Sequence, residues 1–156
     1  MKHLSQLVVL FAVLLVTLTA CNREISVSTD GTSLSITVSE SAINSAWRVT
    51  ATRLRLDNIA VDLQPGQAVI TATLTPVRGG SYPARVVASP TVSNGIVIWS
   101  LSSATVNGVA ANADQLADLN ETLLNSWNNY ASAHYGARRV TAVTITDTDI
   151  TYTLSR

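Results

Sequence analysis

The residue types that most often carry catalysis are scarce in this chain. Cys21 is the only cysteine, and His134 is the only histidine after residue 20. A hydrolytic triad needs a nucleophile beside a histidine, and a zinc site needs three or four Cys, His or acidic ligands, so neither is expected here. His134 falls on the apolar side of a predicted helix, where we expect a packed or half-buried histidine.

Carboxylates are the remaining source of chemistry. Asp147 and Asp149 alternate near the C-terminus, an arrangement that suits a weak metal site but suits a hairpin turn better. A carboxylate pair for glycoside hydrolysis stays open from the sequence, although most acids fall on polar faces or in turns. The chain contains no G-x-S-x-G, phosphate-binding loop or dinucleotide-binding motif. We therefore predict that this protein is not an enzyme and holds no metal or cofactor.

Residues 1–20 have the order of a secretory signal peptide. Lys2 is followed by an apolar run from Leu7 to Leu18, and the small residue Ala20 precedes Cys21. The run is about a dozen residues, whereas a membrane-spanning helix needs about 20. We predict cleavage before Cys21, and an uncleaved anchor is the alternative.

The segment Leu18-Thr19-Ala20-Cys21 at the end of this run resembles the lipobox of bacterial lipoproteins. The resemblance implies a bacterial source, a diacylglycerol on Cys21, and an exported chain that is held in the cell envelope by its lipid. Two acyl chains suffice for stable anchoring. Because Asn22 is not an aspartate, retention at an inner membrane is not implied. The predicted organisation is a lipoprotein signal peptide over residues 1–20 and a single lipid-anchored domain over residues 21–156.

The composition of residues 21–156 excludes some partners. Lys2 leaves with the signal peptide, so nine arginines and ten acids remain, and the formal charge is −1. There is no basic patch that would favour nucleic acid, since Arg138-Arg139 is the only basic pair. Only three residues separate Cys21 from the first strand pattern, a reach of about 10 Å, so the domain is expected close to the bilayer.

Turn signals separate runs of alternating apolar and polar residues at Asp30-Gly31, Pro65-Gly66, Asn94-Gly95 and Thr146–Asp149. Counting outward from each turn places apolar residues opposite one another. The predicted pairs are Val27 with Leu34, Ile25 with Ile36, Val61 with Ile70, Ile59 with Ala72, Val92 with Val97, Ala88 with Leu101, Ile145 with Ile150, and Val143 with Tyr152. Apolar pairs on one face fix the register and leave Ser, Thr and Arg on the other, which is typical of one-sided antiparallel strands.

A helical period replaces the strand pattern between Asn112 and Gly136. Apolar or aromatic residues recur at steps of three and four, at Leu116, Leu119, Leu123, Trp127, Tyr130 and His134. Asn112 with Gln115 forms a capping-box pattern, and Gly136 suits a helix end. We predict a helix of about 23 residues with one narrow buried stripe. A shorter helix is expected over residues 40–46, with Ser39 as its N-cap.

The order of elements is hairpin, short helix, long strands, long helix and terminal hairpin. We predict an α+β fold in which a curved antiparallel β-sheet wraps around the long helix of the C-terminal half. The segments ITVSESAIN, VDLQPGQAVITATL, LNETLLNSW and VTITDTDITYTL resemble, in order and apolar spacing, small bacterial lipoproteins of the tubular lipid-binding (TULIP-like) type. That resemblance implies apolar ligands between sheet and helix, but it transfers no binding residue. A cystatin-like fold is the alternative.

Two functions follow from this prediction. The first is non-enzymatic binding of a lipid or another apolar ligand at the outer face of a membrane, in a cavity whose wall is formed by Leu119, Leu123, Trp127 and Tyr130. Ordinary core packing is the alternative role for these side chains. The second function is a structural or partner-binding envelope lipoprotein with a solid core and no ligand, which an exposed apolar patch would support.

Overall fold

The structure, a computed structural model, describes residues 25–30, 33–49, 54–76 and 79–155. The signal peptide, the lipobox-like segment and Cys21 lie outside these residues, so the predictions made for them stay predictions. The elements follow one another as β1 (Ile25–Asp30), β2 (Ser33–Ser39), α1 (Glu40–Ala46), β3 (Leu54–Gln64), β4 (Gln67–Pro76), β5 (Tyr82–Ser93), β6 (Ile96–Val106), β7 (Val109–Ala110), a long helix α2 over residues 113–135, β8 (Val140–Ile145) and β9 (Asp149–Ser155).

The strands form two antiparallel sheets. The first sheet has four strands in the order β1-β2-β9-β8, and the second has five in the order β3-β4-β5-β6-β7. The α+β class is confirmed, but the prediction of one curved sheet wrapped around the helix is wrong, because neither sheet is curled or closed. The reason is that β9 pairs with β2, so the first and last hairpins join each other and leave the middle strands as a separate sheet.

Three of the four hairpins have the register predicted next to their turns. The confirmed pairs are Val61 with Ile70, Val92 with Val97, Ala88 with Leu101, Ile145 with Ile150, and Val143 with Tyr152. Ile59 does not pair with Ala72, because a β-bulge lies between Asp57 and Ala60, and Asn58 within it has a φ of 52°.

The register of the first hairpin differs from the prediction by two residues. Val27 pairs with Ile36 rather than Leu34, and Ile25 pairs with Val38 rather than Ile36. Asp30 pairs with Ser33, so Asp30 belongs to the ladder and not to the turn in which it was predicted. Because side chains alternate with a period of two, this shift keeps the apolar residues on the predicted face.

Helix α1 covers the free edge of the five-stranded sheet. It begins as predicted, with the Ser39 hydroxyl accepting a hydrogen bond from the Ala42 N–H. The Asn44 side-chain amide donates to the carbonyl of Val61 and accepts from its N–H, both at 2.8 Å. Glu40 accepts from the N–H of Leu63 at 2.7 Å. These side chains replace a neighbouring strand and satisfy backbone groups that an edge strand otherwise exposes.

Helix α2 has the predicted length and the predicted start, but its middle is not a regular α-helix. Asn112 and Gln115 form the capping box, with side-chain-to-backbone distances of 2.9 and 3.0 Å. A π-helical part, Asn120–Leu124, separates two α-helical parts, Ala113–Leu119 and Asn125–Tyr135. A π-helical turn contains more residues than an α-helical turn, so it rotates the residues that follow it.

The rotation changes which residues of α2 are buried. Leu119, Leu123 and Trp127 are buried as predicted, whereas Leu116, Tyr130 and His134 are only half-buried. The places of the last two in the buried stripe are taken by Ala131 and Tyr135. The predicted stripe is therefore fully buried only from Leu119 to Trp127, and beyond Trp127 it is displaced by one residue.

The two sheets meet where β8 passes the turn ends of the five-stranded sheet. The N–H of Val140 donates to the carbonyl of Gly95 at 2.9 Å, and the N–H of Gly66 donates to the carbonyl of Ile145 at 3.2 Å. Inward side chains of both sheets and both helices form one continuous apolar core. Among the residues that the structure describes, no helix combines the length and the apolar character needed to cross a bilayer.

Candidate functional site

The four residues predicted to line a ligand cavity lie together in the core. Leu119, Leu123 and Trp127 are buried, and Tyr130 packs against them from a half-buried position. The juxtaposition is the one that the helical spacing predicts. What the spacing does not reveal is which side chains of other elements occupy the space in front of them.

Two further tryptophans occupy that space, and we call Trp47, Trp99 and Trp127 the tryptophan cluster. The Trp127 ring, which is 0% exposed, lies 4.9 Å from the Trp47 ring and 5.1 Å from the Trp99 ring, measured between centroids. Both pairs are close to perpendicular, at 80° and 88°. Edge-to-face packing at this distance is a favourable arrangement of aromatic rings and excludes other atoms from between them.

Local structure explains how each ring reaches the tryptophan cluster. Trp47 is the residue after α1, and its indole N–H donates to the hydroxyl of Ser126 on α2 at 3.2 Å. The same hydroxyl donates to the carbonyl of Arg48 at 3.3 Å, so the segment after α1 is tied to α2. Trp99 shares the inner face of β6 with Val97, because alternate residues of a strand face the same side.

The indole N–H groups of Trp99 and Trp127 are buried without a hydrogen-bond acceptor in the described part of the chain. The perpendicular packing places ring edges against the electron-rich faces of neighbouring rings. Such contacts replace only part of the hydrogen-bond energy that a buried N–H group loses. These two donors are therefore the polar groups that this otherwise apolar region can offer a ligand.

His134 has the packed role predicted for it. Its ring meets the Tyr130 ring edge-on at 4.8 Å, and its Nε2 is buried with no hydrogen-bond partner among the described residues. Burial lowers the pKa of His134 below its ordinary value. No group of three His, Cys, Asp or Glu residues within the described ranges is arranged to hold a metal ion.

The pair Asp147 and Asp149 belongs to a hairpin turn. The Thr148 hydroxyl donates to the Asp149 carboxylate at 2.7 Å, and the Thr146 N–H donates to the carbonyl of Asp149 at 3.0 Å. Asp147 itself is exposed. Both residues thus lie at the turn, as the turn interpretation predicts, and the Asp149 carboxylate accepts a hydrogen bond within it.

An exposed apolar surface lies at the tip of the β5–β6 hairpin. Ile96 is 59% exposed and Ile98 is 49% exposed, and we call these two side chains the hairpin patch. The confirmed hairpin register places them opposite Ser93 and Thr91, on the face that points away from the core. Sequence reasoning did not identify the hairpin patch, although the signal was present. Pairing Val92 with Val97 on one face places the even-numbered residues of β6, Ile96 and Ile98, on the other face.

A cation lies beside the turn that precedes the hairpin patch. A side chain added at Gly95 would meet the Arg139 side chain at 3.0 to 3.3 Å, so Arg139 lies directly against the hairpin turn. No ion pair involving Arg139 occurs among the residues that the structure describes. The patch therefore combines two large apolar side chains with an adjacent positive charge.

No protein-family model, no curated protein and no solved structure matches this chain.

Proposed function

We propose that this protein is a lipid-anchored, non-enzymatic lipoprotein of a bacterial cell envelope that acts by binding a partner protein at its surface. The observation that carries the proposal is the tryptophan cluster, because rings 4.9 and 5.1 Å from Trp127 fill the space that an internal ligand would need. The lipobox-like Leu18–Cys21 segment supports the anchor, and the hairpin patch supports the partner-binding surface.

The hairpin patch has the composition of a small binding surface. Exposed isoleucines gain from burial against another protein, at about 25 cal/mol for each Å² of apolar surface removed from water. Arg139 at its border favours a partner whose own apolar surface is bordered by carboxylates, since complementary charge improves the selection of a partner and the rate of encounter.

The topology separates the hairpin patch from the proposed anchor. β1 begins at Ile25, four residues after Cys21. The strand register aligns Ile25 with Ile145, so the start of β1 lies at the Ile145 end of the four-stranded sheet. The opposite end of β8 is Val140, which is bonded to Gly95 beside the patch. Five residues of strand correspond to about 17 Å. This separation supports contact with a partner rather than with the bilayer beneath the anchor.

Photocrosslinking in the native envelope tests this proposal. A photoreactive amino acid placed at Ile98 should give one adduct of defined mass, and the same amino acid at Val109, which is 68% exposed on β7, should not give it. The double substitution of Ile96 and Ile98 by threonine should weaken recovery of the same partner. Absence of an adduct at position 98, or identical adducts at both positions, would reject the hairpin patch as the binding surface.

A second candidate function is the binding of a fatty acid or phospholipid in the core. The observation that favours it is the pair of indole N–H groups without an acceptor, because a carboxylate or ester carbonyl would accept from them. Such binding requires the rings of the tryptophan cluster to separate. A soluble form beginning at residue 22 should then show a saturable change in tryptophan emission with a fluorescent fatty acid, reduced by Trp127→Phe. Absence of a saturable change would reject lipid binding in the core and leave partner binding as the proposed function.

A further inference from the structure

An open groove of about 450 Å³ lies on the five-stranded sheet, far from the hairpin patch. Thr71, Arg85 and Thr105 lie along its floor and are aligned across neighbouring strands, with Thr71 paired to Arg85 and Arg85 paired to Thr105. The next aligned row, Ile70, Val86 and Ala104, belongs to the core. Because side chains alternate along a strand, the floor residues face away from the core.

Two irregular features border the groove. On one side is the β3 bulge, where Asn58 has a φ of 52° and its side-chain amide donates to the Thr73 hydroxyl at 3.4 Å. On the other side is the β6–β7 turn, where Gly108 has a φ of 76° and no atom lies within 4 Å of the position its Cβ would take. The N–H of Asn107 donates to the carbonyl of Pro83 at 2.7 Å and fixes that turn over β5. Bulges of this kind often occur beside binding sites.

The charge of the groove is positive and uncompensated. Arg85 is exposed and takes part in no ion pair within the described residues, and no described acid lines the groove. The nearest acidic residue on the strands is Asp57, and its carboxylate forms an ion pair with the Arg55 guanidinium at 3.0 Å. A negatively charged ligand therefore meets no repelling carboxylate on the groove wall.

The donors of the groove floor match a phosphate group. A guanidinium donates to two oxygens at once, in a geometry that fits phosphate and carboxylate alike. The hydroxyls of Thr71 and Thr105 lie on the strands on either side, at the 4.7–4.9 Å spacing typical of neighbouring strands. The Thr71 hydroxyl donates to the Ala60 carbonyl at 3.4 Å, and it must turn from that carbonyl to reach a ligand. Three donor side chains in a row then contact three oxygens, which phosphate has and carboxylate lacks.

We propose that this groove binds a small molecule through a phosphate group, with Arg85 holding the phosphate between Thr71 and Thr105. The volume of the groove, about 450 Å³, is within the range of small-molecule sites. The phosphate belongs either to a soluble phosphate monoester or to a phospholipid headgroup, since both present the same oxygens. This site is independent of the hairpin patch and of the core.

Isothermal titration calorimetry of the full lipoprotein in nonionic detergent tests the proposal with three probes: inorganic phosphate, glycerol 3-phosphate and short-chain phosphatidylglycerol. At least one probe should bind saturably. Arg85→Gln should weaken that binding at least tenfold, and Thr105→Val should weaken it several-fold. Preference for glycerol 3-phosphate identifies a soluble monoester as the ligand class, and preference for phosphatidylglycerol identifies a headgroup.

Arg138→Gln is the matched control, because Arg138 is also exposed but lies in the segment between α2 and β8, away from the groove. It should bind the same probe as tightly as the unsubstituted protein does. Absence of saturable binding by all three probes would overturn the proposal, as would an equal loss in the two arginine variants. Circular dichroism of Arg85→Gln should match the unsubstituted protein, which makes a loss of binding specific to the site.

Discussion

Truncating Leu123 tests how α2 packs. Leu123 lies in the π-helical part and is 1% exposed, so the space left by truncating its side chain is surrounded by core atoms and not by solvent. Leu123→Ala removes three carbons, worth about 0.8 kcal/mol each in transfer free energy. A residual cavity adds to this, and we expect the free energy of unfolding to fall by about 3 kcal/mol, inside the range of about 2–5 kcal/mol for buried leucines.

Urea unfolding followed by tryptophan emission measures this change, because the tryptophan cluster lies in the same core. With a denaturant slope of about 1–3 kcal/mol per molar, the urea midpoint should fall by about 1–3 M. Asn125→Ala is the control, since Asn125 is exposed two residues further along the same helix, and it should change stability by less than about 0.5 kcal/mol. Equal losses in the two variants would show that the helix phase described for α2 is incorrect.

Three further predictions follow from the anchor, the covered strand edge and the buried histidine. Cys21→Ala should release the protein from membranes or leave its signal uncut, and an intact mass equal to the unmodified chain from Met1 would contradict lipidation. Asn44→Ala removes two hydrogen bonds to Val61 and should cost about 1–3 kcal/mol in urea unfolding, at about 0.5–1.5 kcal/mol for each bond, whereas exposed Asn129→Ala should cost less than about 0.5 kcal/mol. Burial depresses the pKa of His134 in the folded state, so the unfolded chain binds the proton first, and stability should decrease as pH falls below the ordinary histidine pKa of 6.5. His134→Phe should flatten this dependence in urea midpoints between pH 7.5 and pH 5, and an unchanged slope would assign the effect to other groups.

Local features of this fold were predictable because they depend on neighbouring residues. Asn94-Gly95 fixes a two-residue turn, and the positive φ values of both residues, 54° and 83°, are those that such a turn requires. The register then follows by counting. The capping residues Ser39 and Asn112 likewise identify their helices, because each side chain satisfies an N–H within its own first turn.

The sheet organisation was not predictable in the same way. Periodicity indicates which face of a strand is apolar, but it does not indicate which strands are neighbours. The pairing of Leu34 with Leu154 joins residues at opposite ends of the described chain, and no local pattern encodes it. The π-helical part has the same limitation, since its residues Asn120–Leu124 fit an ordinary α-helical period and only tertiary packing favours the wider turn.

The sequence predicted the part of the candidate site that α2 contributes, but not the side chains that other elements contribute. Helical spacing brought Leu119, Leu123 and Trp127 together correctly, because residues three and four apart share a helix face. The side chains in the space opposite, Trp47 and Trp99, come from the residue after α1 and from β6, so the spacing along α2 does not identify them.

The pairing of β2 with β9 affects the order in which the two sheets form. β1 contributes its hydrogen-bonding edge to β2, and β2 pairs on its other side with β9, the last strand that the structure describes. The first hairpin is therefore stabilised by strand residues that lie far along the chain, as in the pairing of Leu34 with Leu154. Contacts of such large sequence separation form slowly, because the intervening chain must be ordered first. The five-stranded sheet, built from consecutive hairpins, has no such requirement. The five-stranded sheet can thus form early, whereas the four-stranded sheet forms only after β9 has joined β2.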